Sequence, residues 1–343
     1  LLQRKHYKFF GKYISKFSLI KHITKLKKQK RFSAWNKIGS QAVQDVCSRI
    51  DKSYRRFFDS LKKKNSRKAR PPKIKKLHRF KSITLTHQAG FKLIGNGKIK
   101  IGKTVFRYHD SRQIEGRIKT LTISRSKTGD LFLCFACEVE LPQTITSCNS
   151  AVGLDFGLKT FATLSDGTTI EHPQFHKRAL RKLKTFNRSL SRKAKGSVRW
   201  RRARKRLARF HEKIANQRDD WAKKTANSLV KKYDCLFLED LNLSGMQALW
   251  GRKMSDVAFG RFVSCLEWMA KKRGSIVQKI DRFFPSSKVC SCCGRENQGL
   301  RLRDREWECN ACESKHDRDL NAARNILKVG TSTFAGVTVR PAA

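Results

Sequence analysis

Four cysteines near the C-terminus constrain the fold of this chain more tightly than any other feature. Cys290 and Cys293 form a C-x2-C pair, and after fifteen residues Cys309 and Cys312 form another. Four thiolates at that spacing close a tetrahedron around one Zn2+ and leave no open position, so the ion is structural and not catalytic. Each pair needs a tight turn, and Gly294 directly follows the first. Cys292, inside the first pair, is a bystander able to replace a neighbour as ligand. Cys134 and Cys137 repeat the spacing within an apparent strand. Residues three apart on a strand face opposite ways, so that pair is not expected to share a metal. The eleven cysteines are odd in number, and most stand isolated in apolar segments, as reduced core thiols would. An intracellular, reducing setting is the expectation.

A zinc ribbon says little about function; charge says more. The 343 residues carry 78 Lys+Arg against 27 Asp+Glu, a formal net charge of +51. A protein this basic repels itself unless polyanions neutralise it, and nucleic acid is the expected partner. Basic membrane anchors are short and local, whereas here the charge runs through the whole chain. No apolar run reaches the ~18 residues of a membrane span, and no signal peptide opens the chain. The expected location is therefore cytoplasmic and nucleoid-associated, with no membrane partner. The chain opens at Leu1, without Met, in an already basic segment, and its natural beginning is expected to lie upstream.

Residues 1–70 read as basic helix. Val43, Val46, Ile50, Tyr54, Phe57 and Leu61 recur at helical spacing, with Ser40 as the expected N-cap. Pro71-Pro72 breaks the pattern, and over 71–149 the runs "SITLTH", "FKLIG", "KIKIG", "TVFRYH", "RIKTLTISRS" and "LFLCFACEVE" predict short strands in a small β-barrel. From 150 the chain turns to α/β character. The hairpin expected over 177–218 begins with residues 177–209, which hold sixteen Lys/Arg and no Asp or Glu, and its periodicity breaks at Gly196-Ser197. A solvated face normally interleaves both signs of charge. Arg178, Arg181, Lys182, Arg192, Lys193, Arg201, Arg202, Arg204 and Lys205 are therefore the candidate phosphate contacts. A buried strand "CLFLEDLNL", a helix over about 256–273 capped by Ser255, and the strand "SIVQKID" lead to the cysteines.

Three carboxylates stand out in so basic a chain. Asp155 ends one very apolar strand in "VGLDFG", Glu239 ends another in "LFLED", and Asp319 begins a helix after the ribbon. An ionised carboxylate at the end of a buried strand is costly without a cation. Together the three suggest a divalent-metal site, with two Mg2+ about 4 Å apart acting on a phosphodiester.

The blocks "GLDFGLKTFATLSDG", "FLEDLNLSGM", "FPSSKVCSCCG" and "CNACESKHDRDLNAARNIL" resemble, in order, the signature blocks of the TnpB family. These are transposon-encoded RNA-guided DNA endonucleases related to compact type V CRISPR effectors, and the likeness runs from about residue 40. It implies α/β plus β-barrel and helical-lobe architecture: a RuvC-like, ribonuclease-H-type nuclease domain interrupted by a zinc ribbon. By that likeness, residues 1–70 are a recognition lobe and 71–149 a wedge barrel. Residues 150–285 are the first part of the nuclease domain and 286–315 the ribbon. Residues 316–330 are the last nuclease part and 331–343 a tail. The resemblance assigns Asp155, Glu239 and Asp319 as the catalytic Mg2+ ligands and Asp317 and Asp240 as supporting residues. It also implies guide RNA, double-stranded target DNA and a displaced single strand as partners of a monomer on one RNA. The family's usual first strand and helix have no counterpart here, which bears on recognition of the motif flanking the target.

Two rival readings account for part of this. A non-catalytic zinc-ribbon regulator explains the charge and the cysteines but leaves the three acids without a purpose. A strand-joining transposase also uses three carboxylates, but usually in the order Asp-Asp-Glu rather than the Asp-Glu-Asp found here.

Overall fold

Helices come first because apolar side chains recur every three or four residues along a chain otherwise crowded with lysine and arginine. The computed structural model describes residues 2–37, 39–62, 70–76, 79–87, 90–242, 245, 251, 258–301, 303–333 and 338–341. The chain divides into two units, Leu1–Glu140 and Leu141–Ala343.

The first unit opens with α1 (Leu2–Phe10), α2 (Lys16–Lys27), a 3-10 helix (Lys30–Lys37) and α3 (Ser40–Lys62). Ser40 is the first helical residue of α3 and not its cap. The Val43 amide bonds to the Gly39 carbonyl, so Gly39 holds the cap position. Asp45 on α3 accepts from the Thr84 amide and pairs with Arg49, which also donates to the Ser82 carbonyl. Those bonds fasten α3 to β1 (Ser82–Thr86). The other strands are β2 (Phe91–Gly95), β3 (Lys98–Ile101), β4 (Thr104–Arg107), β5 (Arg117–Arg125) and β6 (Leu131–Glu138).

All the expected runs form strands, but no closed barrel is present among the described residues. Two three-stranded sheets, β1-β5-β6 and β2-β3-β4, share a core of Leu85, Phe91, Ile99 and Leu121. The middle strands β5 and β3 pair on both sides while the outer strands pair on one, and a bridge between His87 and Phe91 joins the sheets. Cys134 and Cys137 lie along β6 and belong to no metal-ligating group among the described residues.

The second unit is built on β7 (Ser147–Phe156), β8 (Ala162–Leu164), β9 (Thr169–Ile170), β10 (Cys235–Glu239) and β11 (Ile276–Ile280). Its sheet order is β11-β10-β7-β8-β9, with β7, β10 and β11 parallel, β8 antiparallel to β7, and β9 antiparallel to β8. Between β9 and β10 run α4 (Phe175–Ser191) and α5 (Val198–Lys232), and α6 (Phe259–Arg273) links β10 to β11. The expected cap Ser255 lies outside the described residues. A small hairpin, β12 (Glu306–Glu308) and β13 (Lys315–Asp317), leads into α7 (Arg318–Thr333); β14 (Thr338–Pro341) then pairs parallel with β7. Among the described residues no helix is long and apolar enough to cross a membrane.

Alternation along the strands sorts the two faces. Val152, Leu154, Leu236 and Leu238 pack against Ala226 and Leu229 of α5 and Phe259, Phe262 and Leu266 of α6. Ala151, Cys235 and Phe237 face the other way, against Ile326 and Leu327 of α7. Cys148 and Cys235, expected as reduced thiols, form a disulfide with Cα atoms 6.1 Å apart. They meet because β7 and β10 are neighbours and both side chains sit in the same buried cluster.

Helix α7 reaches the sheet closely because two glycines clear its path. A Cβ on Gly153 would overlap the Ala323 carbonyl oxygen and come within 2.6 Å of the Leu327 amide nitrogen. A Cβ on Gly330 would strike the Phe237 ring. Backbone cannot yield as a side chain can, so Gly153→Ala should cost about 1–3 kcal/mol, read as a lower urea midpoint. An unchanged midpoint would mean that α7 retreats freely and that its seat on β7 is not fixed.

Candidate metal centres

The cysteine cluster forms as its spacing predicts. The sulfurs of Cys290, Cys293, Cys309 and Cys312 lie within 4.8 Å of one another, with Cys290–Cys312 and Cys293–Cys309 each at 3.6 Å. Zn–S bonds of ~2.3 Å in a tetrahedron place sulfurs roughly 3.8 Å apart, so the donor set fits zinc. The two turns are built alike. The Gly294 amide donates to the Cys290 carbonyl at 2.9 Å and the Glu313 amide to the Cys309 carbonyl at 2.8 Å. Gly294 and Glu313 both take left-handed backbone, φ 80° and 56°. Burial pushes the Cys290 thiol up to about 12, a penalty that a bound cation removes, whereas hydrogen bonds from Ser314 hold Cys312 down at about 6.

Sequence reasoning missed three residues here. His316 Nε2 lies 3.1 Å from Cys290 Sγ, and its ring packs on Trp307 with centroids 4.8 Å apart. Asn321 and Asn325, one turn apart on α7, each donate to the Val289 carbonyl, at 2.7 and 2.6 Å. Asn321 Oδ1 also accepts from the Ser291 amide at 2.9 Å. Both asparagines are buried. For the asparagines the available signal was their spacing of four on the helix face shared with Ala322 and Ile326; for His316 it was only its nearness to Cys312.

The same helix carries Asp319 in its first turn. Asp155 and Glu239 each follow the last residues of a parallel ladder, Leu154 against Leu238, and so end adjacent strands side by side. Their odd-numbered positions share the face of Gly153 and Phe237, the face α7 covers. Asp319 lies one turn before Ala323, the residue whose carbonyl meets Gly153. Electrostatic coupling between the acids is direct. Burial, then Asp319, then Glu239 push the Asp155 carboxyl up to about 7, and burial followed by Asp240 raises Glu239. Arg305 donates to both oxygens of Asp319 at 3.1 Å, with Arg318 at 3.5 Å. The three acids are not among the groups of ligand atoms lying within 4.8 Å of one another in the described residues. Asp317 Oδ1 accepts from the Leu320 amide at 2.8 Å and caps α7, while Asp240 pairs with Arg282.

The basic candidates all lie on the α4–α5 hairpin. Arg178, Arg181, Lys182, Arg192, Arg201, Arg202, Arg204 and Lys205 are exposed, and Lys193 is half-buried. An apolar seam holds the hairpin together: Leu183 is buried, and Phe186 meets Phe210 edge-on at 5.2 Å.

Residues 134–249 match the OrfB_IS605 family, described as "Probable transposase", and residues 259–326 match the "Cas12f1-like, TNB domain". A Streptomyces pristinaespiralis protein named "Putative RNA-guided DNA endonuclease" is 31% identical over 329 residues, spanning 93% of this chain and 79% of that one. The chain belongs to the OrfB_IS605/TnpB family. Another TnpB relative, Escherichia coli "Putative RNA-guided DNA endonuclease InsQ", is 29% identical over 86% of this chain and 76% of its own length. Among solved structures, a Cas12f1–sgRNA–target DNA complex shares the fold with a TM-score of 0.58 at 15% identity, covering 95% of this TnpB chain and 81% of the other.

The raised Asp155 carboxyl gives a signed pH dependence. An unfolded Asp titrates near 3.9, so between about pH 4 and 7 the folded state binds the proton that the unfolded state has lost. Metal-free stability should therefore fall as pH rises through that window, by on the order of 3–4 kcal/mol, and stay low above it. Urea titrations in EDTA should show this slope, and Asp155→Asn should flatten it. Cys309→Ser should lose bound zinc and lower the thermal midpoint, read by metal analysis and calorimetry.

Proposed function

We propose that this chain is an RNA-guided DNA endonuclease that hydrolyses phosphodiester bonds with two Mg2+ ions held by Asp155, Glu239 and Asp319. The reading is carried by one observation: two acids end neighbouring parallel strands, and a third arrives on a helix seated against the same face. In this reading the second unit is the RuvC-like, ribonuclease-H-type nuclease domain, and the cysteine turns are its zinc ribbon. Residues 1–70 serve as recognition lobe and the two sheets of 71–149 as the wedge, binding guide RNA and the short motif beside the target. The names of the relatives and the Cas12f1-like fold support it.

Chain residues do the positioning. Asp155 and Glu239 offer oxygens from rigid strand ends, and Asp319 offers its own once freed from Arg305 and Arg318. Divalent cations bound there supply Lewis-acid polarisation of the scissile phosphate and acidify the attacking water. Asp155, raised by burial and the two neighbouring acids, would ionise beside a cation held there. The α4–α5 hairpin, free of acids over 177–209, tracks the backbone of the guide–target duplex or of the displaced strand. Cleavage leaves a 5′-phosphate and a 3′-hydroxyl, and one protein acts on one RNA.

Protein purified from cells expressing its native locus should carry a discrete RNA ending in a variable segment. With that RNA and Mg2+ it should cut DNA matching the segment, and Asp155→Ala should leave no product above background while RNA stays bound. Equal cutting by Asp155→Ala would refute the site. Stable binding with no Mg2+-dependent product would favour a non-catalytic regulator.

A further inference from the structure

A cavity of about 560 Å3 opens at the turn between α4 and α5, with Arg188, Lys193, Lys195 and Trp200 among its lining residues. Small-ligand sites commonly span ~300–1,000 Å3, so it can admit one nucleotide. Its lining includes three cations and no acid, and no Asp or Glu occurs from 177 to 209. The parts are held in place. Lys193 Nζ donates to the Ser189 carbonyl at 2.6 Å and contacts Ser189 Oγ at 2.9 Å, which orients the ammonium. Ser197 caps α5 by accepting from the Trp200 amide at 3.1 Å. Arg204 sits over the Trp200 ring, 4.9 Å from its centroid, and Trp200 lines the cavity while Arg204 does not.

Two further lining residues are acceptors. Asn187 donates its amide to the Leu183 carbonyl and Ser191 its hydroxyl to the Arg188 carbonyl, each at 2.9 Å. Their side-chain oxygens remain to accept hydrogen bonds from a ligand.

We propose that this cavity receives a single unstacked nucleotide of a bound nucleic acid, its base against Trp200 and its phosphate on Lys193, Lys195 and Arg188. An aromatic face beside fixed cations matches the two halves of a nucleotide. The acceptor oxygens of Asn187 and Ser191 suit a donor such as the ribose 2′-hydroxyl, which DNA lacks, so RNA is the favoured source. The inference rests on the nucleic-acid-binding part of the proposed function and not on cleavage.

Ultraviolet crosslinking of the full Asp155→Ala chain with its co-purified RNA, followed by peptide mass spectrometry, tests it without any cutting. A nucleotide adduct is expected at Trp200. Trp200→Ala should abolish the adduct and weaken oligonucleotide binding by roughly 5- to 150-fold, whereas Trp200→Phe should retain most of the affinity. Lys195→Ala, at an exposed position, should weaken binding severalfold with an unchanged thermal midpoint. RNA and DNA oligonucleotides of one sequence identify the source: tighter binding of RNA by the parent, lost in Trp200→Ala, assigns the guide, and an adduct formed with DNA alone assigns a target strand. An RNA-loaded protein with no adduct at Trp200, or Trp200→Ala binding within twofold of the parent, overturns the pocket while leaving the nuclease reading intact. Cutting by Asp155→Ala does the reverse.

Discussion

The seat of α7 on β7 and β10 is the contact on which the second unit depends. Glycine at 153 lets the helix backbone lie against the strand, and glycine at 330 makes room for the Phe237 ring. Distance along the helix is thereby converted into position over the sheet, and Asp319 falls at the strand ends that carry Asp155 and Glu239. The helix is gripped from the other side too, by Asn321 and Asn325 on the Val289 carbonyl, the residue before the first zinc-binding turn. The cysteine turns, the helix and Asp319 are thus tied together by hydrogen bonds through Val289.

Electrostatics at the acids opposes that construction. Burial and mutual repulsion favour a proton on Asp155, and two arginines occupy Asp319. A chain with +51 formal charge can supply guanidinium to any free carboxylate. What distinguishes Asp155 is that burial limits such rescue, while Asp319, on the helix end beside the ribbon hairpin, receives it from Arg305. The metal-free state therefore balances one acid by protonation and another by pairing, two different responses to the same local excess of negative charge.

Much of this was legible from residue order. The strands of both units, the hairpin break at Gly196-Ser197 and the four-cysteine cluster follow from alternation, turn residues and spacing. Asp155 and Glu239 were conspicuous in the sequence because an acid at the end of an apolar strand is expensive, whereas Asp319, at a helix start, stood out only through the family resemblance. Other features were not. Glu313 in a left-handed turn gives no sign in sequence, since glycine is the usual signal. The Cys148–Cys235 pairing required knowing that β7 and β10 are neighbours, a non-local fact separated by 87 residues. The barrel remained two sheets because closure depends on which edges pair, and edge pairing leaves no periodic trace. Gly39 displaced Ser40 at the cap of α3 since one residue of phase is beyond what amphipathic spacing resolves.

Helix α5 is far longer than the sheet it serves. Its buried positions begin at Ile214 and continue through Val230, so only the later part belongs to the core. The earlier turns have α4 as their support, joined through Leu183 and the Phe186–Phe210 contact. The outer hairpin is thus held by its own short apolar seam and not by the core over the sheet. A polyanion bridging both arms would add cohesion where that seam is thinnest.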